Sequence, residues 1–232
     1  RGDGGHVDHQ RAGLGVLQDA ALAERDFLHL RRVGEHGDQG VDRLGDVGDP
    51  RPWHAKLLTA YSEPQRAYHT LQHLDECLRT FDGAKASGLI AKPDFVEVAL
   101  WFHDAVYDPK GSENEALSAR MAVEALGDGE MGREAARLIM LTKSHEPGVG
   151  ADDAWIIDID LAIFAQSPER VREYERQIRQ EYGWVDETVY REKRAEILAA
   201  FLKRERIYFT DWAWERYEMK AKENLRMLIG SI

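Results

Sequence analysis

The sequence predicts an all-α protein, and three observations support this class. Apolar residues recur at helical spacing, as in Leu71, Leu74, Leu78 and Phe81. Strict alternation of apolar and polar residues, which is typical of half-buried strands, is scarce along the chain. Proline or serine stands where several helices are expected to begin, and glycine where one is expected to end. With 232 residues, of which 43% are hydrophobic, the chain is long enough for one large helical domain.

Residues 1–48 differ in composition from the rest of the chain. They contain half of the twenty glycines and four of the nine histidines, in phrases such as RGDGGHVDHQ. Such a composition is typical of solvated, mobile segments. We therefore expect a poorly ordered or non-native extension over residues 1–48 and a helical domain over residues 49–232.

The helices after Pro50 can be placed in order. One contains the apolar positions 71–81. The next begins at Pro93 and Asp94 and continues through DFVEVALWFHDAVY, whose nearly continuous apolar character predicts deep burial. A third is predicted from a serine cap at Ser112 to Gly127. The remaining helices are predicted over GREAARLIMLTKSH, over DDAWIIDIDLAIFA, and over residues 168–182, 186–205 and 211–228.

Charge and cysteine content limit the classes of function. The formal net charge of −11 argues against broad nucleic-acid binding, although a few local basic groups would suffice for one small phosphorylated substrate. The single cysteine, Cys77, excludes an intramolecular disulfide and suggests a reducing compartment. No apolar run approaches the roughly 18 residues of a transmembrane helix. A cytoplasmic protein without a membrane partner is the expectation.

Charged side chains interrupt two apolar segments. His103 and Asp104 end the run VALWFHDAV, and Asp158 and Asp160 interrupt AWIIDIDLAIFA. Burying an ionised group is costly unless it is paired, hydrogen-bonded or bound to a metal. Either pair alone is explained by local hydrogen bonds in the core. Residues two apart on a helix are separated by about 200°, so Asp158 and Asp160 cannot both face one site.

A third feature is the pair His69 and His73 in YHTLQH, four residues apart on a predicted helix. Both can hold one metal, or one can bind metal while the other transfers a proton; a chance spacing is equally compatible with the pair alone. Together with His103, Asp104 and the later aspartates, however, this pair gives a set of imidazoles and carboxylates on separate predicted helices. That donor set suits manganese, iron, cobalt, nickel, magnesium or zinc.

These motifs resemble those of the HD superfamily of metal-dependent phosphohydrolases. The phrases YHTLQH, FHDAVYDP, NEALSA and DIDLAI match a bacterial subgroup, and the likeness runs from about Gly48 to the C-terminus. YHTLQH is also similar to a signature of the cyclic-nucleotide phosphodiesterases, a distant branch. The resemblance implies an HD-type helical bundle in which His73, His103, Asp104 and Asp160 hold a divalent metal, with Asp158 as the alternative last ligand. It also implies that His69 is the general acid.

The implied reaction is hydrolysis of a phosphomonoester or phosphodiester, of a nucleotide or related small metabolite. A bound metal lowers the pKa of its water towards roughly 7 and offsets phosphoryl charge. Asp104 could accept a proton from that water, and His69 could protonate the leaving oxygen. Two alternatives stay open: a non-catalytic nucleotide- or metal-binding module, and an HD-type di-iron oxygenase.

Further candidates surround this core set. A second metal site or a contact to a substrate phosphate could be formed by His145, Glu115 and Lys143. For His145, an equal alternative is that its positive charge only stabilises the end of a helix. Arg66, Arg179 and Arg194 are candidate anion clamps, a role less common than surface ion pairing. The aromatic residues of the C-terminal helices, such as Trp184, are predicted to serve in packing.

Overall fold

The computed structural model describes residues 51–232, and the predictions for residues 1–48 and for a domain boundary at residue 49 lie outside this range. Within the described range the chain forms nine α-helices and no strand, which confirms the predicted all-α class. The helices are α1 (Arg51–Tyr61), α2 (Leu71–Lys85), α3 (Pro93–Phe102), α4 (Asn114–Leu126), α5 (Glu130–Leu141), α6 (Asp153–Asp160), α7 (Pro168–Glu181), α8 (Glu187–Lys203) and α9 (Asp211–Ile229), with a 3-10 helix (Leu161–Ala165) between α6 and α7.

Short polar side chains define several helix starts. An oxygen of the capping side chain accepts a hydrogen bond from a backbone N–H group in the first turn, which satisfies a group that has no partner within the helix. Pro93 and Pro168 occupy the first turns of α3 and α7, where a missing N–H group costs nothing. The predicted bounds of α7, α8 and α9 agree with the structure to within two residues. The capping residues are Thr70, Ser167, Asp186 and Thr210.

The prediction that Ser112 caps α4 is wrong. The helix begins at Asn114, and Glu113 at the N-cap position makes no side-chain capping bond. Instead, the Asn114 amide binds the Asp108 backbone: Oδ1 accepts from the N–H group at 3.0 Å and Nδ2 donates to the carbonyl at 2.9 Å. The Ser112 carbonyl accepts a hydrogen bond from Lys143 Nζ at 2.7 Å. An asparagine that closes the preceding loop has therefore replaced a conventional cap.

Three predicted helices end earlier than their sequence pattern suggests. Helix α3 stops at Phe102, α5 stops at Leu141, and the segment after Asp160 is a 3-10 helix. The apolar pattern continues beyond these ends because the following residues are also buried, and burial alone does not reveal where the helix stops. As a result, His103, Asp104 and His145 lie on turns just after helix ends.

Helix α3 lies at the centre of the core. All residues from Val96 to Phe102 are buried, and α3 packs against α2, α4, α5 and α6. Its burial on every side explains why its sequence is almost wholly apolar. Neither α3 nor any other helix within the described range is long and apolar enough to cross a membrane. Helix α9 packs against the 3-10 helix and α8, closing the other side of the bundle.

Buried carboxylates hold several connecting loops in place. Each accepts hydrogen bonds from adjacent backbone N–H groups of a segment distant in sequence, which satisfies both the buried charge and the loop backbone. Such bonds fix loop conformation more firmly than apolar contacts alone, because they are directional. The four carboxylates are Asp152, Asp158, Glu181 and Glu218.

Candidate metal centre

Four predicted ligands meet at one point of the bundle although they come from three separate segments. His73 projects from the first turn of α2, and His103 and Asp104 follow the last residue of α3. Asp160 is the last residue of α6. His73 and His103 are each 1% exposed, so both imidazoles are taken out of water by the packing of these helices.

The donor atoms of the four side chains lie close to one another. His73 Nε2 is 3.2 Å from His103 Nε2, 3.4 Å from Asp104 Oδ2 and 3.2 Å from Asp160 Oδ1. His103 Nε2 is 3.1 Å from Asp104 Oδ2 and 3.8 Å from Asp160 Oδ1. Ligands bound to one ion at about 2.1 Å lie roughly 3.0–3.4 Å apart. Four of these five separations lie within that range and the fifth is 3.8 Å, so the arrangement could hold one divalent ion.

The surroundings favour a positive charge between these groups. His103 Nδ1 lies 2.7 Å from the Leu100 carbonyl, which can only accept, so Nδ1 carries the hydrogen and Nε2 is left as the ligand nitrogen. Burial lowers the pKa of His103, but the Asp104 carboxylate outweighs it and the pKa is raised. Burial likewise raises the pKa of Asp104, yet His103 and its neighbours hold that pKa well below its usual value.

Cys77 lies beside the cluster and was missed as a candidate ligand. Its Sγ is 3.7 Å from both ring nitrogens of His73. Ligand atoms of His73, Cys77, His103 and Asp160 all lie within 4.8 Å of one another, so this group could also hold a metal ion. Burial raises the pKa of the Cys77 thiol to about 11, which keeps it protonated at neutral pH. The spacing of His73 and Cys77 by one helical turn was the available sequence signal.

We expect Cys77→Ala to retain the metal. In the predicted centre, His73, His103, Asp104 and Asp160 already supply four nitrogen and oxygen donors. Removing Cys77 should therefore lower metal affinity by no more than the roughly 10–100-fold typical of losing an outer contact. Metal titration by calorimetry measures this change, with wild-type protein as the control. Loss of metal, together with loss of a thiolate charge-transfer band in the cobalt-substituted protein, would make Cys77 a ligand.

Asp158, the alternative last ligand, faces away from the metal centre. Its Oδ1 accepts a hydrogen bond from Phe209 N at 2.8 Å, and its Oδ2 accepts from Thr210 N at 2.8 Å and Thr210 Oγ1 at 2.7 Å. Burial raises the pKa of Asp158 to about 6, against the opposing effect of these hydrogen bonds. The rotation between positions 158 and 160 thus directs Asp160 to the imidazoles and Asp158 to the segment before α9.

Asp158→Asn should destabilise the fold without removing metal. An asparagine amide has one acceptor oxygen, so at least one of the N–H donors at Phe209 and Thr210 would be left without its partner. A buried unsatisfied donor costs about 1–3 kcal/mol, and we expect that loss in the free energy of unfolding in urea. Metal content should stay at the wild-type ratio. A loss of metal with unchanged stability would instead assign Asp158 to the metal centre.

His69 is oriented by a buried glutamate that the sequence did not reveal. His69 Nδ1 lies 2.7 Å from Glu181 Oε2, and Tyr107 Oη donates to the same oxygen at 2.8 Å. Glu181 Oε1 accepts from the backbone N–H groups of residues 67–69. Burial raises the pKa of Glu181, but the hydrogen bond from His69 and the backbone donors outweigh it and lower the pKa to about 2. Glu181 is therefore ionised, and His69 Nδ1 is the donor.

The His69 ring is also fixed by stacking. It lies on Tyr107 with ring centroids 4.0 Å apart and an interplanar angle of 25°. Its centroid is 6.0 Å from that of His73, which places it beside the four-donor cluster without joining it. Arg66, a predicted anion clamp, is buried and donates to the carbonyls of His69, Asp104 and Ala105. Arg66 thus connects the segment that contains His69 with the turn that contains Asp104 and Ala105.

The secondary candidates lie around the same centre. His145 Nε2 is 3.1 Å from Asp160 Oδ2, the oxygen that does not face His103. His145 has a φ of 50°, an uncommon conformation for a residue other than glycine and one often found at functional sites. Glu115 and Lys143 instead form an ion pair with each other at 3.7 Å. Of His145, Glu115 and Lys143, His145 is the residue that contacts a predicted metal ligand.

A cavity opens above the cluster. Its volume is about 730 Å³, within the range of roughly 300–1,000 Å³ typical of small-molecule sites. His69, Asp104 and Asp160 line it. Trp184 also lies in its wall with 55% of its surface exposed, contrary to the packing role predicted for it. His145, Glu115 and Lys143 also line the cavity.

Comparison of the chain with family models, with curated proteins and with solved structures gives no match. Membership of the HD superfamily therefore stays a prediction from the sequence motifs.

Proposed function

We propose that this protein is a metal-dependent phosphohydrolase that cleaves a phosphomonoester or phosphodiester of a nucleotide or related small metabolite. The observation that carries the proposal is the convergence of two buried imidazoles with two carboxylates that line a cavity, and a separately oriented imidazole beside them. The motifs that resemble the HD superfamily support the same reaction class. The donor set suits manganese, magnesium, iron, cobalt, nickel or zinc.

His73, His103, Asp104 and Asp160 would hold the ion. When bound, such an ion is a Lewis acid that lowers the pKa of a coordinated water and offsets phosphoryl charge. Asp104 lines the cavity and has an 18% exposed side chain, so it can accept a proton from a water that attacks the phosphorus atom.

His69 supplies the proton for the leaving group in this proposal. As an imidazolium, it donates Nδ1–H to Glu181 and gives its second proton, on Nε2, to the leaving oxygen, which leaves a neutral imidazole. Glu181 fixes the tautomer and Tyr107 fixes the ring plane, so little reorganisation is needed before proton transfer. A positioned general acid typically contributes about 10²–10⁴-fold to the rate.

The alternative of a di-iron oxygenase receives less support. It needs additional ligands, for which His145 and Glu115 were the candidates. His145 does approach Asp160, but Glu115 is paired with Lys143. A single-ion hydrolytic centre uses the four close donors and leaves this ion pair intact.

A phosphoester screen of the purified protein tests the proposal. The substrates are p-nitrophenyl phosphate, bis(p-nitrophenyl) phosphate and a nucleotide panel, each assayed with one added divalent metal at a time. We expect turnover that a chelator removes and that metal restores, with Asp158→Asn as the active control and Asp104→Asn as the inactive variant. Absence of turnover on every substrate with every metal would favour the non-catalytic module.

A further inference from the structure

Beyond the metal centre, the cavity is lined mainly by aromatic and apolar side chains. They come from the 3-10 helix, from α7 and α8, and from the turn between these two helices. Flat aromatic walls favour planar ring systems, because stacking and burial act on the whole ring face. The wall residues are Ile163, Phe164, Tyr174, Ile178, Tyr182, Trp184, Val185, Tyr190, Ile197 and Phe201.

Arg194 brings a hydrogen-bond donor without a partner to this apolar wall. The residue is 8% exposed, and its Nε donates to Glu175 Oε2 at 2.9 Å. Its Nη2 is buried and makes no hydrogen bond among the described residues. A buried donor left unsatisfied costs about 1–3 kcal/mol, and more when the group is charged. Because Arg194 lines the cavity, an acceptor atom held there can hydrogen-bond to its guanidinium group.

Tyr68 forms a second unsatisfied group in the same cavity. Its Oη is buried and makes no hydrogen bond among the residues that the structure describes. A series of close contacts connects it with both ends of the cavity: the Arg194 guanidinium lies 5.0 Å from the Tyr174 ring, Tyr174 lies 4.5 Å from Tyr68, and Tyr68 lies 4.6 Å from His73. The unsatisfied groups therefore lie along one path that leads outward from the metal centre.

We propose that this distal region binds the organic part of the substrate, a planar heterocycle that carries a carbonyl oxygen, and that Arg194 selects the carbonyl. The inference rests on the proposed phosphohydrolase function, because it assigns the heterocycle to the ester whose phosphoryl group is cleaved. The ring lies against the aromatic wall, and its carbonyl oxygen accepts a hydrogen bond from the Arg194 guanidinium.

The charges around Arg194 favour a carbonyl over an amino group at the same ring position. A guanidinium has only donors, so it cannot bind an amino group. The neighbouring acceptor, Glu175, is already occupied: Oε2 accepts from Arg194 Nε and Oε1 accepts from Tyr190 Oη at 2.8 Å. An amino-substituted ring would therefore gain no hydrogen bond from the guanidinium and would bring a further donor close to its positive charge. A site built to hydrogen-bond one group discriminates strongly against an analogue that lacks it.

Two nucleoside pairs test this selection directly. Inosine and adenosine differ in a carbonyl against an amino group, and so do uridine and cytidine. None has a phosphoryl group, so binding is measured without turnover and in metal-free protein, by calorimetry or ligand-observed NMR. We expect the carbonyl member of at least one pair to bind roughly 10–100-fold more tightly, the range for a hydrogen bond to a charged group.

The variants separate selection from folding. Arg194→Gln alone leaves Glu175 without its positively charged partner. The double variant Arg194→Gln/Glu175→Gln, which removes both charges, is therefore measured beside it. In each of these variants that folds, the preference for the carbonyl member should fall to about onefold. In Arg191→Gln, a change on the same helix outside the cavity wall, the preference should be unchanged. Equal binding within both pairs, no binding of any nucleoside, or a preference that survives loss of Arg194 would overturn the proposal. Failure of the phosphohydrolase function would appear separately, as absent phosphoester turnover with nucleoside selection intact.

Discussion

Replacing His103 with alanine is expected to strip the divalent ion from the protein and to abolish phosphoester hydrolysis. His103 Nε2 lies 3.1 Å from Asp104 Oδ2 and 3.2 Å from His73 Nε2, and the residue is 1% exposed. Loss of an outer contact already costs about 10–100-fold in metal affinity, and loss of a direct ligand should exceed the upper end of that range. Titration with Mn²⁺ and elemental analysis measure the loss.

Asp160→Asn and Asp158→Asn provide a matched control for this prediction. The same chemical change is made two positions apart, on side chains that face opposite directions. We expect Asp160→Asn to lose metal and Asp158→Asn to retain it, while thermal unfolding of the metal-free proteins reports any general loss of structure. Full metal occupancy in both His103→Ala and Asp160→Asn would show that the ion is held elsewhere.

Replacing His69 with alanine is expected to reduce the turnover rate about 10²–10⁴-fold while metal content is unchanged. His69 donates to Glu181 and stacks on Tyr107, and its nitrogen atoms are not part of the four-donor cluster. The effect should depend on the leaving group, because an alkoxide needs a proton more than p-nitrophenolate does. The kcat for an alkyl phosphoester should therefore fall further than that for p-nitrophenyl phosphate.

Tyr107→Phe serves as the comparison for His69→Ala. It keeps the stacked ring and removes only the hydroxyl that donates to Glu181. We expect a smaller decrease in kcat, because Glu181 still orients His69. If His69→Ala removed the metal, or slowed both leaving groups equally, the division between a metal site and a general acid would be incorrect.

Local sequence patterns predicted most helices because their causes are local. Pro168 with the Ser167 cap marks the start of α7, and periodic apolar residues mark the buried face of α2. The false cap at Ser112 shows where this logic fails: the competing partner of Asn114 is the backbone of Asp108, in a loop whose path the sequence pattern does not specify.

Part of the candidate site could be predicted, because a buried charged group needs a hydrogen-bond partner, an opposite charge or a metal ion. That argument identified His103, Asp104, Asp158 and Asp160 as unusual, but it could not tell which partner compensates each group. Asp158 is satisfied by backbone N–H groups near Thr210, and Asp160 faces the imidazoles.

Glu181 was not predicted, and Arg66 was predicted as an anion clamp and not as a donor to backbone carbonyls, for a related reason. Glu181 acts on His69, which is 112 positions away, and Arg66 binds carbonyls 38 and 39 positions away. Only tertiary packing brings these partners together. A glutamate at the end of an amphipathic helix and an arginine in a turn have no local feature that distinguishes them from surface residues.

Anomalous diffraction from crystals of the protein grown with Mn²⁺ tests the central claim most directly. We predict one strong anomalous peak at about 2.0–2.3 Å from a donor atom of each of His73, His103, Asp104 and Asp160. Asp158 should remain bonded to the backbone at residues 209 and 210. Peaks only at other positions, or no ordered Mn²⁺ within bonding distance of the two imidazoles, would contradict the proposed metal centre.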